Sequence, residues 1–435
     1  MNLAMVIAKL ESRPRGLMLG AVFSAAILVR AGVIIAMPEL GNSEAMDTQN
    51  YLSLARGLVE SGRFSMWNQP SAYVAPGYPF FLAGIFKILG ENLLAVKIIQ
   101  MFLGAAAAAL GYLLALRFTR PLIAWLAAFM MAVHPELAGV TGFIYSEALF
   151  VFLLTASLLL MARTMASTKV MHALQAGALF GLTTLCRGTT LYFPLLLLGL
   201  AMLASQRWLW LRLWLIFVVG MAAVMAPWAI RNYHHFGVFL PVATGSGDVF
   251  WTGNYLEFDG EYRYTETQTK LREIAGAANL ITRDRLLMED AKQRIFAAPL
   301  PHAWLFVRKI FRYWLRVYED VPRGEMRQRN WLVFGALFAL HYALLFFAVI
   351  GLRQCNWRNA GAKMLLAFVC YYTLVHAATL AVARYRIPLL PLISIVAATG
   401  IVWLMEKFSA KASWRPANLA GGAELDFPRE RRHES

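Results

Sequence analysis

The chain has 435 residues, of which 59% are hydrophobic and 15% charged. Soluble domains carry about a quarter charged residues, so a water-soluble globular protein is excluded. Its 41 Lys and Arg against 25 Asp and Glu give a net charge of +16, but the cations are scattered through short polar segments. That distribution fits a positive-inside bias and does not fit a nucleic-acid-binding tract.

Apolar runs of about 20 residues, enough to cross ~30 Å of hydrocarbon, recur along the whole chain. They are expected at 17–37, 93–116, 121–138, 147–164, 171–186, 189–206, 211–230, 331–351, 364–382 and 387–406. The period-two alternation of a β-barrel is missing from these runs. The fold class expected is an all-α polytopic membrane protein of about ten transmembrane helices, within a range of 10–13. The first run follows Lys9, Arg13 and Arg15. It is too long for a signal-peptide core and lacks a small-residue cleavage site, so it is read as a retained span.

Ten spans place both ends on one side. Arg117 and Arg120, Arg163 and Lys169, Arg207 and Arg212, Arg353, Arg358 and Lys363, and Lys407 and Lys411 then share that side with the N-terminus. Such a basic side is expected to be cytoplasmic. The opposite face holds two long loops, 38–92 and 231–330, and residues 1–410 form one transmembrane unit. Residues 411–435 are polar and charged, and are expected to be a disordered cytoplasmic tail.

In chain order, the first loop opens at Asp47, followed by Tyr51, Leu54, Ala55 and Leu58 at helical spacing up to about Gly62. Asp47 suits a helix N-cap, and it equally suits a base that works on a substrate arriving from lipid. Residues 76–91, which include Tyr78, are too short to cross comfortably and are expected to form an interfacial or re-entrant helix. His134 precedes Pro135 and reads as an interfacial or cavity histidine, not a metal ligand. Glu147, in Tyr145-Ser-Glu-Ala-Leu149, opens the fourth span, where a helix dipole also favours an acid.

Arg187 lies in the outer turn between spans five and six, and Arg231 at the outer end of span seven, where a lipid-headgroup anchor is an equal reading. Residues 244–264 are rich in turn formers and tyrosines, and 266–297 are polar and helical in pattern. Residues 303–318 are apolar but carry four cations; they are expected to lie in the outer interface with Trp304, Tyr313 and Trp314 at headgroup level. Arg384, Tyr385 and Arg386 occupy the turn before the last span. Cys186, Cys355 and Cys370 form no spaced pair, and His234-His235 has no spaced carboxylate or cysteine partner, so neither a zinc site nor a disulfide framework is indicated.

Two carboxylates and several arginines at one face suit a transfer reaction. A base would activate a hydroxyl or amine while guanidiniums hold a phosphate leaving group. A flippase for a lipid-linked sugar is the alternative, but it should show charged or broken spans near the bilayer midplane. A non-catalytic assembly partner leaves Asp47 and Glu147 without a use.

From about 17 to 406 the chain resembles the polyprenyl-phosphate-sugar-dependent glycosyltransferases of the GT-C superfamily. The motifs are Asp47-Thr-Gln-Asn-Tyr51, Ala75-Pro-Gly-Tyr-Pro79, Tyr145-Ser-Glu-Ala-Leu149, Leu185-Cys-Arg-Gly-Thr189, Ala226-Pro-Trp-Ala-Ile-Arg-Asn232, Trp251-Thr-Gly-Asn254 and Arg384-Tyr-Arg-Ile-Pro388. The resemblance implies a GT-C bundle in a bacterial inner membrane with its active site on the periplasmic face. It implies an inverting transfer from an undecaprenyl-phosphate sugar to a lipid, glycan or protein. Asp47 and Glu147 become the catalytic acids, and Arg187, Arg384 and Arg386 the carrier-phosphate ligands. Tyr51, Tyr78, His134, Arg231 and Tyr385 become further candidate substrate contacts. No cofactor is required; a divalent cation is compatible with the acids. Protein mannosyltransferases of the group show an adjacent Asp-Glu pair, whereas here Asp47 is followed by Thr48.

Overall fold

A computed structural model describes residues 13–38, 46–66, 69–276, 278–317 and 331–414. The described residues are almost entirely helical, with one two-stranded hairpin among them, in the first loop, pairing Ser65–Met66 with Gln69–Pro70. Among the described residues, seven helices or helix combinations are long and apolar enough to cross a membrane. Five are α1 (Arg15–Ala36), α4 (Leu93–Ala115), α7 (Glu147–Ser167), α10 (Arg207–Phe236) and α15 (Trp331–Gln354). The others are α16 (Ala360–Ala378) and α17 (Leu390–Trp414), the latter joined to a 3₁₀ segment at Ala383–Leu389. The protein is a multi-pass membrane protein.

The three remaining expected spans take other forms. The run at 121–138 is broken into α5 (Pro121–Val133) and α6 (Pro135–Gly139), and the pair is bent by 53°. Pro135 lacks the amide hydrogen and clashes with the preceding turn, so the helix cannot continue through it. The His134 imidazole accepts the Glu136 N–H at 3.3 Å and starts the second piece. The break leaves the Ala132 carbonyl without its helical partner, and a buried cation from α1 takes it: Arg30 donates to Ala132 O at 2.8 Å and, near the end of α6, to Leu137 O at 3.3 Å. The expected spans at 171–186 and 189–206 are the shorter α8 (Val170–Cys186) and the segment Gly188–Met202, which contains α9 (Phe193–Met202).

Close helix contacts within the bundle use small residues, as expected where lipid removes the hydrophobic drive and packing must supply it. A Cβ on Gly177 of α8 would lie 1.9 Å from the Phe217 carbonyl of α10. This contact fixes α8, whose C-terminal end carries Arg187.

The two long connections between spans contain α2 (Met46–Ser61), α3 (Gly77–Leu89), α11 (Ser246–Gly253), α12 (Tyr264–Ala275), α13 (Leu280–Ala297) and α14 (Pro299–Leu315). The stretch at 47–62 is thus α2, and 76–91 contains the short helix α3. The polar stretch at 266–297 is two helices, α12 and α13, which pack with α11 around Trp251, Tyr255, Phe258, Leu271 and Leu287. Loop 243–245 is tied to the first loop through Thr244 N–H to Ala72 O at 2.8 Å.

Helix α14 is strongly two-faced. Trp304 and Phe311 are exposed, while Leu305, Lys309 and Tyr313 are buried. The expectation of Tyr313 at headgroup level is therefore corrected: the ring is fully buried and its hydroxyl donates to Tyr385 O at 3.0 Å. The last helix continues past Lys411 to Trp414. The expected tail from 415 onward, Lys9, and part of each long loop lie outside the described residues.

Candidate active site

Four helix ends converge at one point. Asp47 stands in the first turn of α2, and Glu147 in the first turn of α7, where the exposed amides and the helix dipole favour a carboxylate. Arg187 follows the last residue of α8 in an extended conformation that turns the chain into the 3₁₀ turn at Gly188–Thr190. Gly77 at the start of α3 lets that helix abut the end of α8, since a Cβ there would lie 2.9 Å from Cys186 Cα. Arg384 and Tyr385 come from the Ala383–Leu389 segment.

Arg187 Nη1 lies 2.9 Å from Glu147 Oε1. Arg384 Nη2 donates to Asp47 Oδ2, while Arg384 Nε lies 3.8 Å from Glu147 Oε1. Two carboxylates and two guanidiniums thus form one chain, Asp47–Arg384–Glu147–Arg187. The inner pair is dry, with side chains 13% (Arg187) and 4% (Glu147) exposed; the outer pair is open, at 27% (Arg384) and 42% (Asp47). Burial opposes the charge on Arg187, but Glu147 together with the Tyr372, Tyr385 and Tyr51 phenols outweighs it and holds the guanidinium's pKa above its usual value.

Aromatic rings frame the cations. Arg187 stands over the Tyr385 ring at 4.9 Å and Phe150 at 5.7 Å; Arg384 stands over Tyr145 at 4.8 Å and Tyr385 at 5.4 Å. Cation–π contacts of this kind restrict where a guanidinium can sit without consuming its donors. Tyr51, one turn after Asp47, packs edge-on to Tyr78 with centroids 4.9 Å apart. Burial, with Asp47 and Glu147 nearby, pushes the Tyr51 phenol above its ordinary pKa, so it stays a neutral donor. The Tyr78 hydroxyl donates to Gln100 at 2.8 Å.

The other sequence candidates lie apart from this chain of charges. Arg386 is fully buried; Nη2 lies 2.9 Å from Glu136 Oε1, and Nη1 donates to the carbonyls of Tyr313 and Arg316. His134 caps α6. Arg231 donates to Ser71 O at 2.7 Å and Phe64 O at 2.8 Å, and ties the hairpin to α10.

Sequence reasoning did not single out Tyr145, although it stands within the Tyr145-Ser-Glu motif. Nor did it single out Glu136, which follows Pro135. Tyr73 was also missed: its hydroxyl donates to Asp248 at 3.1 Å, and Asp248 is held by Arg283 at 3.0 Å. Burial first, then Asp248, raise the Tyr73 pKa above its ordinary value.

Residues 72–230 match the family model described as dolichyl-phosphate-mannose-protein mannosyltransferase. That segment contains Glu147 and Arg187 and leaves Asp47 and Arg384 outside. No curated protein matches the chain. Among solved structures, the archaeal oligosaccharyltransferase AglB from Archaeoglobus fulgidus, in complex with an inhibitory peptide and a dolichol-phosphate, aligns with 94% of this chain and 52% of its own, at a TM-score of 0.55 and 12% identity. The apo form of the A. fulgidus enzyme gives a TM-score of 0.57 at 14% identity, over 92% of this chain and 52% of its own. ArnT from Cupriavidus metallidurans bound to undecaprenyl phosphate aligns at a TM-score of 0.45 and 15% identity, over 90% of this chain and 78% of its own. The chain therefore spans about half the length of the oligosaccharyltransferases it matches. The chain shares the polytopic helical membrane fold of the A. fulgidus oligosaccharyltransferase.

Proposed function

We propose that the protein is an inverting glycosyltransferase that takes a sugar from a polyprenyl-phosphate donor. The observation that carries this reading is the paired arrangement Asp47–Arg384 and Glu147–Arg187 at converging helix ends. Asp47 stands at the more open end of this chain of charges, with Arg384 on it and Arg187 beyond Glu147, so that both guanidiniums are at hand for a phosphate.

Asp47 takes the proton from the acceptor hydroxyl or amine as that atom attacks the anomeric carbon. The sugar–phosphate bond breaks on the opposite face, and the lipid phosphate leaves toward Arg384 and Arg187. Charge grows on the phosphate as the bond breaks, so preplaced guanidiniums stabilise the transition state more than the bound donor. Glu147 holds both cations in place.

Among the described residues no three His, Cys, Asp or Glu side chains converge. Both site carboxylates are engaged by guanidiniums, and no step here is routed through a divalent ion. The match to a family model whose description names a dolichyl-phosphate sugar supports a lipid-linked donor. In this reading the protein sits in a bacterial inner membrane with the site facing the periplasm, and the acceptor is a lipid, glycan or protein.

The test is a reconstituted assay with undecaprenyl-phosphate sugars labelled in the sugar. Loss of label from the lipid, with inverted anomeric configuration in the product, is expected. Movement of intact donor across the bilayer without bond cleavage would make the protein a flippase.

A further inference from the structure

We infer that Arg384 is exchanged between Asp47 and the donor phosphate, so that the donor must bind before Asp47 is free to act as base. This rests on the reading above and adds an order of events to it.

The four charges of the chain Asp47–Arg384–Glu147–Arg187 sum to zero, with each guanidinium against a carboxylate. A phosphate entering there must take a guanidinium from a carboxylate. The two pairs are not equally available. Glu147 is 4% exposed and sits at the amide end of α7, whereas Asp47 is 42% exposed. A half-buried ion pair parts more readily than a dry one, which broken on one side leaves a buried charge. Arg384 is therefore the cation that changes partner.

Arg384 has what such an exchange needs. The Tyr145 and Tyr385 rings stand 4.8 Å and 5.4 Å from its guanidinium carbon, and Glu147 lies 3.8 Å from Nε. These contacts keep the cation in the site while Nη2 leaves Asp47. Its planar fork then meets two phosphate oxygens. The Asp47 oxygen that had accepted from Nη2 becomes open to the acceptor proton. In the transfer that follows, the acceptor atom bonds to the anomeric carbon and its proton passes to Asp47. The electron pair of the breaking bond goes to the phosphate oxygen, and the net charge of the site is unchanged. Without donor, the base stays capped.

The test is the affinity of detergent-solubilised protein for undecaprenyl phosphate without sugar, measured by titration on wild type, Asp47→Asn, Arg384→Gln and the double variant. Asp47→Asn should bind roughly two- to fivefold tighter than wild type, because the phosphate no longer displaces a carboxylate from Arg384. Arg384→Gln should bind more weakly, and in that background Asp47→Asn should bring no gain. Thermal melts establish that each variant is folded; if Arg384→Gln is not, Arg384→Lys replaces it and should show a smaller gain. Equal or weaker binding by Asp47→Asn overturns the exchange and leaves the phosphate site standing. A gain that persists undiminished without Arg384 is a general charge effect and also overturns it. Failure of wild type to bind the lipid phosphate overturns the exchange and the proposed function together.

Discussion

Arg187 Nη1 lies 2.9 Å from Glu147 Oε1, and neither side chain is more than 13% exposed. A dry pair of this kind is costly to break on one side, because the surviving charge stays buried; the penalty is about 3–5 kcal/mol. Glu147→Ala or Arg187→Ala should therefore destabilise the protein by about that amount. Glu147→Leu combined with Arg187→Leu should regain most of the stability and none of the transfer. Denaturation and transfer assays on the same preparations check this; a double variant as unstable as either single one would contradict it.

Asp47 is open, so its removal separates chemistry from folding. Asp47→Asn keeps the shape and a hydrogen-bond acceptor, but it cannot take a proton. Transfer should fall by roughly 10²–10⁴, the usual contribution of a general base. Stability should change by about 1 kcal/mol, since the pair lost is half-open to solvent and the amide still accepts from Arg384. Near-normal turnover would reduce Asp47 to a helix-start acid.

Arg384→Ala should weaken transfer by about ten- to a hundredfold, as expected for one charge-assisted contact worth roughly 1.5–3 kcal/mol. Part of the loss should appear in kcat, because the phosphate gains charge as the bond breaks. Lys should rescue incompletely, having no fork. Arg353 and Arg358 are exposed at the turn between α15 and α16, at the other end of α16 from Arg384, and neutralising either should leave transfer almost intact.

Arg386 has a different expected signature from Arg384. Its guanidinium is fully buried and engaged by Glu136 and by carbonyls at the end of α14. Arg386→Ala should cost about 3–5 kcal/mol of stability by stranding Glu136. The affinity of the remaining folded molecules for the lipid phosphate should stay near that of wild type. A selective loss of phosphate binding in a protein of normal stability would restore Arg386 to the donor site.

Lys309 gives a pH dependence. Its ammonium is buried between Gly253 O at 2.6 Å and Thr379 O at 2.8 Å, and burial, with Arg312 adding repulsion, lowers its pKa from 10.5 to about 7. Between those values the unfolded chain holds the proton and the folded one does not, so stability rises with pH from about 7 towards 10.5. Below about 7 both states are protonated and the burial penalty is fully present. Melting temperatures across that window should climb in wild type, and the Lys309 contribution should vanish in Lys309→Met.

Hydropathy and charge alone determine that this is a multi-pass helical membrane protein, because the bilayer imposes the same length and polarity on every span regardless of its neighbours. They also place Asp47, Glu147, Arg187 and Arg384 at helix ends on one face, since charges at membrane depth are excluded from the lipid surface. Which charges meet was decided only by tertiary structure. Arg384 and Arg386 look equivalent in Arg-Tyr-Arg, but a 3₁₀ turn advances about 120° per residue, so the two side chains diverge. One reaches Asp47 and the other Glu136. Tyr313 reads as an interfacial ring because α14 is amphipathic, yet its register turns it into the bundle against Tyr385. Arg30 lies inside an apolar run and drew no notice. Its place in the fold depends on Pro135, in another span, which breaks a helix and frees the Ala132 carbonyl that Arg30 binds. Such partners come from segments far apart in the chain, and no local pattern of residues encodes them.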